Sequence, residues 1–236
     1  MLGSDSLRRD MLSRLIYGSR YTLLFCGIAA MLRVLIGLVL GGLAAWYRSL
    51  AWFINTFSGA FSAVPSLMFA LIPLAVINLR STPDQSVIAF LIVLSLTGWS
   101  ETAVRTQLAV EGLRGTAFVE AAYAVGLPHA SVFWRHVLPN LRDLVLIEAA
   151  YAMGATLLLL AELAFLGVFV GGGIVDSMTG NAFAPETITA EWGNMLAVGF
   201  RERRAGGWLF FEPLLAFIFA ILACNLLAEG LRRRAV

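Results

Sequence analysis

The sequence predicts an all-α integral membrane protein with five transmembrane helices and one polar helical loop. Three observations carry that expectation. Of its 236 residues, 59% are hydrophobic and only 14% are charged, and the mean hydropathy is +0.82; a soluble domain of this length has too little interior to hide so much apolar surface. The apolar residues gather in stretches near or above the ~20 residues that cross a bilayer as a helix. Between the third and fourth stretches lies a polar island, residues 113–139, LRGTAFVEAAYAVGLPHASVFWRHVLP, with its own helix-start and helix-stop signals.

The elements follow in chain order. Residues 1–20 precede the first apolar stretch. Within them Leu7, Met11, Leu12, Leu15 and Ile16 form one face with arginines opposite, the pattern of an amphipathic helix lying in a membrane surface as a structural anchor. Residues 21–236 then form one transmembrane domain. Its first span is placed at Tyr21–Trp46, where Gly37 and Gly41 make a GxxxG that permits close contact with another helix. The second span, Trp52–Ile77, contains Pro65, which should kink it and free a backbone carbonyl that neighbours must satisfy. The third, Val87–Val110, runs past Trp99 into a polar end with Glu101 and Arg105, so its last turns should project beyond the membrane. The fourth and fifth are placed at Leu144–Val170 and Leu209–Leu227. Cys26 and Cys224 both fall inside spans and read as small core hydrophobes, not as a disulfide or thiolate site.

In the island, a helix is predicted from about Thr116 to Val125. Thr116 can cap it, Gly126 can take the left-handed position past its end, and Pro128 blocks continuation. A second short helix should follow and stop before Pro139. Phe118, Ala121, Ala122 and Val125 fall on one stripe of the first helix, and the alanines would let another surface approach its backbone. By itself this pattern also fits a surface loop with two amphipathic turns.

Several function classes are excluded. A net charge of +2 gives no reason to expect nucleic-acid binding. The 17 basic residues are all arginine, and without a lysine no Walker A loop can be formed. Gly171-Gly172-Gly173 follows a span but opens no helix with a phosphate-binding pattern, and it reads as a loop. His129 and His136 stand without companions that would make a metal site or a general base, so no metal is expected and no catalytic residues are assigned. Any energy must then come from a partner. Three ionisable residues lie inside spans: Arg33 in the first, Glu148 and Glu162 in the fourth. A charge in hydrocarbon costs several kcal/mol unless it faces a cavity or a partner, so each is a site candidate. One alternative is an internal Arg33–Glu pair or a contact with another subunit. That paired reading is preferred for Arg33 and Glu148, whereas both readings stand for Glu162.

Glu120-Ala121-Ala122, then Gly126, then Leu138-Pro139 keep the spacing of the EAA loop, and this stretch resembles that of ABC importer permeases, with His136 departing where isoleucine is frequent. Within that family the chain is similar to the second (C-type) subunit of the dipeptide/oligopeptide/nickel group. The similarity rests on residues 3–20 (GSDSLRRDMLSRLIYGSR), on Glu191-Trp192-Gly193-Asn194-Met195-Leu196, and on Asn225-Leu226-Leu227 with Glu229-Gly230-Leu231-Arg232. Glu162 with Phe165-Leu166-Gly167 also fits a segment of the group.

The resemblance implies that Glu120, Ala121, Ala122, Gly126, Leu138 and Pro139 shape a coupling helix that docks on a separate cytoplasmic ATPase. It implies a six-helix design whose first helix this sequence lacks. The expected partners are a second permease subunit, two cytoplasmic ABC ATPases that carry the ATP and magnesium, an extracytoplasmic solute-binding protein and membrane lipid. No cofactor is expected on this chain itself. The implied cargo is a short peptide or a related small solute such as nickel, and the implied location is a bacterial or archaeal inner membrane. Orientation also rests on the resemblance, because counting arginines on the two sides returns eight against eight. A cytoplasmic island puts Met1 outside and Val236 inside, and makes residues 1–20 an extracytoplasmic entry segment. The alternatives are a secondary transporter using Glu148 and Glu162 as ion sites, and a non-transporting scaffold or truncated remnant.

Overall fold

The structure, a computed structural model, describes residues 9–78, 83–171, 191–201 and 207–235. Among the described residues every regular element is a helix: α1 (Met11–Trp46), α2 (Arg48–Ala63), α3 (Ser66–Asn78), α4 (Pro83–Leu96), α5 (Trp99–Arg114), α6 (Ala117–Ala124), α7 (His129–Val132), α8 (Arg142–Phe165), α9 (Trp192–Arg201) and α10 (Trp208–Ala235). Four continuous or nearly continuous stretches are long and apolar enough to span a membrane: Met11–Trp46, Asp84–Arg114, Phe133–Phe165 and Trp208–Arg234. The fifth candidate is a bent pair, Ser49–Ala63 with Ser66–Ile77, whose axes turn by 78°. The expected kink at Pro65 is therefore a full break. The residue before a proline is pushed out of the helical region, and Val64 is extended at ψ 125°.

The first helix begins earlier than predicted. The Asp10 carboxylate accepts the Ser13 backbone N–H at 2.9 Å, a side-chain cap that starts α1 at Met11. Residues 11–20 are thus the opening turns of the first long helix rather than a separate surface anchor, and Met11 is buried in the core; Leu7 lies outside the described residues. Helix α9, unforeseen as an element, secures these turns. Its Trp192 indole N–H donates to the Leu15 carbonyl at 2.9 Å, and its Trp192 backbone N–H donates to the Thr22 hydroxyl at 3.1 Å.

The predicted GxxxG contact is present. An ideal Cβ at Gly37 would stand 2.6 Å from Thr102 Cβ, and one at Gly41 would overlap the Ala103 carbonyl. Only glycine allows α1 and α5 to approach this closely. The core divides between the two ends of α1. Cys26, Leu74, Phe90, Leu94, Leu157, Leu160, Leu163, Leu196 and Phe217 fill one half. Ala45, Val110, Val119, Ala122, Val132, Val137 and Leu141 fill the other, beneath the island. Large apolar residues such as Leu24, Trp52 and Phe219 stay exposed on the outside, where lipid or a partner subunit would replace water.

Two further expectations are corrected. The fourth span ends at Phe165, five residues short of Val170, where Gly167 takes a left-handed φ of 79°. The third is interrupted: Thr97 and Gly98 break it between α4 and α5, and from Trp99 onward only one side, with Thr102, Ala103, Thr106 and Val110, is buried, while Glu101, Arg105 and Leu108 stay exposed.

Candidate functional site

The island is a helix, a tight turn and a helix that merges with the fourth span. Helix α6 ends in a double-bonded turn: Gly126 N–H donates to the Tyr123 carbonyl at 2.9 Å, and Leu127 N–H to the Ala122 carbonyl at 3.2 Å. This turn needs a left-handed residue at its fifth position, and Gly126 supplies it with φ 85°. Thr116 does not cap α6 through its side chain; its hydroxyl donates instead to the Leu113 carbonyl at 2.5 Å, closing the end of α5. Nor does the second helix stop before Pro139. α7 passes into a π turn at Phe133–Val137 and a 3-10 turn at Leu138–Leu141, and then into α8. Pro139 is tolerated in the opening of a helical turn, where its missing N–H would lack a partner anyway. The Asn140 amide also donates to the His136 carbonyl at 2.6 Å.

Which side of α6 is buried differs from the stripe read in the sequence. Val119 and Ala122 face inward, whereas Phe118 is 41% exposed, Val125 83% exposed, and Ala121 and Glu120 are also exposed. The buried side rests on a cluster at the end of α1. The Trp46 ring meets His129 at 6.1 Å and Phe133 at 5.3 Å, both edge-on. The Arg114 guanidinium lies 5.1 Å over the same ring and donates to the Ala45 carbonyl at 2.6 Å. His129 Nδ1 also contacts the Tyr123 hydroxyl at 3.2 Å, so this histidine helps hold the turn together. The island is thereby tied to α1, α5 and α8 at once.

Those three helices, with α10, line the second feature, an open cavity of about 750 Å³ whose surface is mostly apolar but carries several charged side chains. Glu148 lines it, with only 5% of its side chain exposed. Its partner is Arg105, whose Nη1 donates to Oε1 at 2.9 Å, and the Thr102 hydroxyl donates to Oε2 at 3.2 Å. Arg33 makes no hydrogen bond or ion pair with Glu148 among the described residues, although the Glu148 and Glu101 carboxylates are both near enough to act on its charge. Arg33 reaches the same cavity at 8% exposure, pressed against the Gly98 break, where any Cβ would overlap its guanidinium. Its Nε is buried without a hydrogen-bond partner. Glu162 lies elsewhere, half-buried one turn before the end of α8, and does not line the cavity. Arg105, Tyr151, Asn225 and Arg232 were not assigned to a site from the sequence, although Asn225 and Arg232 belong to the C-terminal stretch that carried the resemblance.

Outside the spans, Glu191 sits before α9 and accepts the backbone N–H groups of Gly193 at 3.0 Å and Asn194 at 3.1 Å. Burial pushes its carboxyl up to about 7 despite those two donors, which favour the charged form. The remaining matches of the 3–20 stretch before Arg9 lie outside the described residues, as do Gly172 and Gly173.

Comparison with known proteins agrees with this architecture. The chain is 26% identical over 232 residues to a putative peptide transport system permease protein of Brucella suis, covering 98% of this chain and 71% of that one. It is 28% identical over 231 residues to the dipeptide transport system permease protein DppC of Alkalihalophilus pseudofirmus, covering 98% and 69%. Its fold is like that of a solved inward-facing structure of the MetNI methionine ABC transporter, with a TM-score of 0.65 at 15% identity over 96% of this chain and 98% of that one. The family model of binding-protein-dependent transport system inner membrane components matches residues 34–235. An all-helical bundle of membrane-length spans, with a helical island tied to the ends of three of them, is thus the structure of a chain that belongs to the inner-membrane components of binding-protein-dependent transport systems.

Proposed function

We propose that this chain forms half of the translocation path of an ATP-driven importer for short peptides in a bacterial or archaeal inner membrane. A second permease subunit completes the path, an extracytoplasmic binding protein delivers the cargo, and two cytoplasmic ATPases dock on residues 113–139. ATP and magnesium reside on those ATPases, and this chain performs no chemistry of its own. The observation that carries the reading is the outward side of α6: Phe118, Ala121 and Val125 stand exposed on a helix whose other side is anchored. The relatives named as peptide permeases support the cargo class. Glu120, Gly126, Leu138 and Pro139 shape the docking element, with Ala121 on its outer side and Ala122 packed beneath.

The geometry suggests how docking becomes transport. Closure of the ATPases moves α6 and its turn. The Trp46–Arg114 contacts pass that displacement to α1 and α5, and the helical continuity through Leu138–Leu141 passes it to α8. Since α1, α5 and α8 all line the cavity, a rigid-body tilt of this set alters access to it. An ion-coupled mechanism has less support, because Glu148 is committed to Arg105 and Thr102. A photo-crosslinking residue at Val125 in the assembled transporter should give an adduct with the ATPase, while one at exposed Leu24, inside the first span, should not. No adduct at Val125, Phe118 or Ala121 would sink the docking assignment.

A further inference from the structure

The open cavity holds three guanidinium groups and two carboxylates: Arg33, Arg105, Arg232, Glu101 and Glu148. Arg105 is bound to Glu148 at 2.9 Å and stands 3.8 Å from Glu101. Arg232 is bound to Glu229 at 2.8 Å. Arg33 forms no hydrogen bond or ion pair among the described residues, although it is more than nine-tenths buried and its Nε is sealed from solvent. A buried charge without a hydrogen-bonded counter-ion is costly. The Gly98 break is what admits this side chain: its left-handed φ of 69° parts α4 from α5, and its missing Cβ leaves the space the guanidinium occupies. A large cation is thus kept without a hydrogen-bonded counter-ion, with the Glu101 and Glu148 carboxylates near enough to act on its charge, at the wall of a cavity within the size range of small-ligand pockets.

We propose that Arg33 is a cargo-binding residue that receives a carboxylate of the solute passing through the cavity, in the first place the C-terminal carboxylate of a short peptide. The planar fork of a guanidinium matches a carboxylate with two parallel hydrogen bonds, and among the described cations of the cavity Arg105 and Arg232 are already held in ion pairs while Arg33 is not. Release remains possible because the bond is made within a water-accessible cavity rather than a closed pocket. This inference rests on the transport reading above and adds the functional group of the cargo that the path recognises.

The test uses the complete transporter, reconstituted in proteoliposomes with both permease subunits, ATPases and binding protein. Uptake of trialanine and of trialanine amide is measured for wild type, Arg33→Gln and Arg33→Lys. Taking the variant-to-wild-type ratio for each peptide cancels any preference of the binding protein. Arg33→Gln should lower the ratio about tenfold or more for the free acid and leave the amide near unity. Arg33→Lys should fall between, because it keeps the charge and loses the fork. Equal losses for acid and amide, or no loss for either, would overturn the inference while leaving the transport reading intact. Loss of assembly with the second permease subunit on gel filtration in both variants would also overturn it, since the carboxylate would then belong to that subunit. If wild type takes up neither peptide, the peptide reading fails first and this inference with it.

Discussion

Gly126 offers the sharpest test of how the island works. A Cβ built at this position meets no atom within 4 Å, so a side chain here is not excluded by space. Its φ of 85° is the constraint. Holding an ordinary residue in the left-handed region costs about 1–2 kcal/mol, with β-branched residues worst. Escaping that strain means giving up the two turn bonds to Tyr123 and Ala122, each worth about 1 kcal/mol. Either way Gly126→Val should deplete the native turn by a factor of about 5–30 and misdirect α6, while the spans, which do not depend on this turn, still insert. Asparagine tolerates the left-handed region, so Gly126→Asn should stay close to wild type and Gly126→Ala should fall between. The assay is binding-protein-stimulated ATP hydrolysis together with peptide uptake by the assembled transporter, normalised to the amount of membrane-inserted protein. Both should decline in the order Asn, Ala, Val. Full coupling in Gly126→Val, or equal damage from Asn and Val, would refute the argument, the second because contact rather than backbone conformation would then be at stake.

Three other outcomes are expected. Arg105→Leu strands the buried Glu148 and should cost about 2 kcal/mol, toward the low end because Arg105 is itself half-exposed; Glu148→Gln keeps one oxygen to accept from Arg105 and can donate its amide N–H to the Thr102 hydroxyl, which turns to accept, so it should cost less than about 1 kcal/mol. Thermal melts of the purified chain would reverse that order if the charge of Glu148, rather than its burial, governed stability. Gly41→Leu drives a side chain into the Ala103 carbonyl and toward Thr106 Cβ, 2.8 Å from an ideal Cβ, so the melting temperature should fall by several degrees for about 1–3 kcal/mol of overpacking, while Gly59→Ala, with open space around it, should leave it unchanged. Glu191 binds its proton more tightly folded than unfolded, so its burial favours the folded state below the usual carboxylate range, and that contribution is lost as pH rises from about 4.5 to about 7; Glu191→Gln should flatten this part of a pH-dependent melting curve, and an unchanged slope would show that another group is responsible.

The features that could be read from the residues alone are those that depend on neighbours along the chain. Apolar runs long enough for a bilayer, a proline that breaks the second span, glycines spaced for close helix contact, and the glycine and proline that end α6 are all local matters of transfer energy or backbone sterics. They were legible for that reason. Tertiary structure decided which competing partner each polar group took. The Thr116 hydroxyl, free to cap its own helix, turned back to Leu113 because α5 ends there. Pro139 did not stop a helix, because a π turn and a 3-10 turn absorbed the mismatch on the way into α8. Glu148 met Arg105, 43 positions away, rather than Arg33, since the glycine contacts bring α5 close against α1 and so set which residues of α5 can reach α8. The same packing left Arg33 facing the cavity at the Gly98 break, and it turned Val119 rather than Val125 toward the core. Such pairings depend on the relative position and rotation of helices distant in sequence, and spacing along one chain does not contain that information.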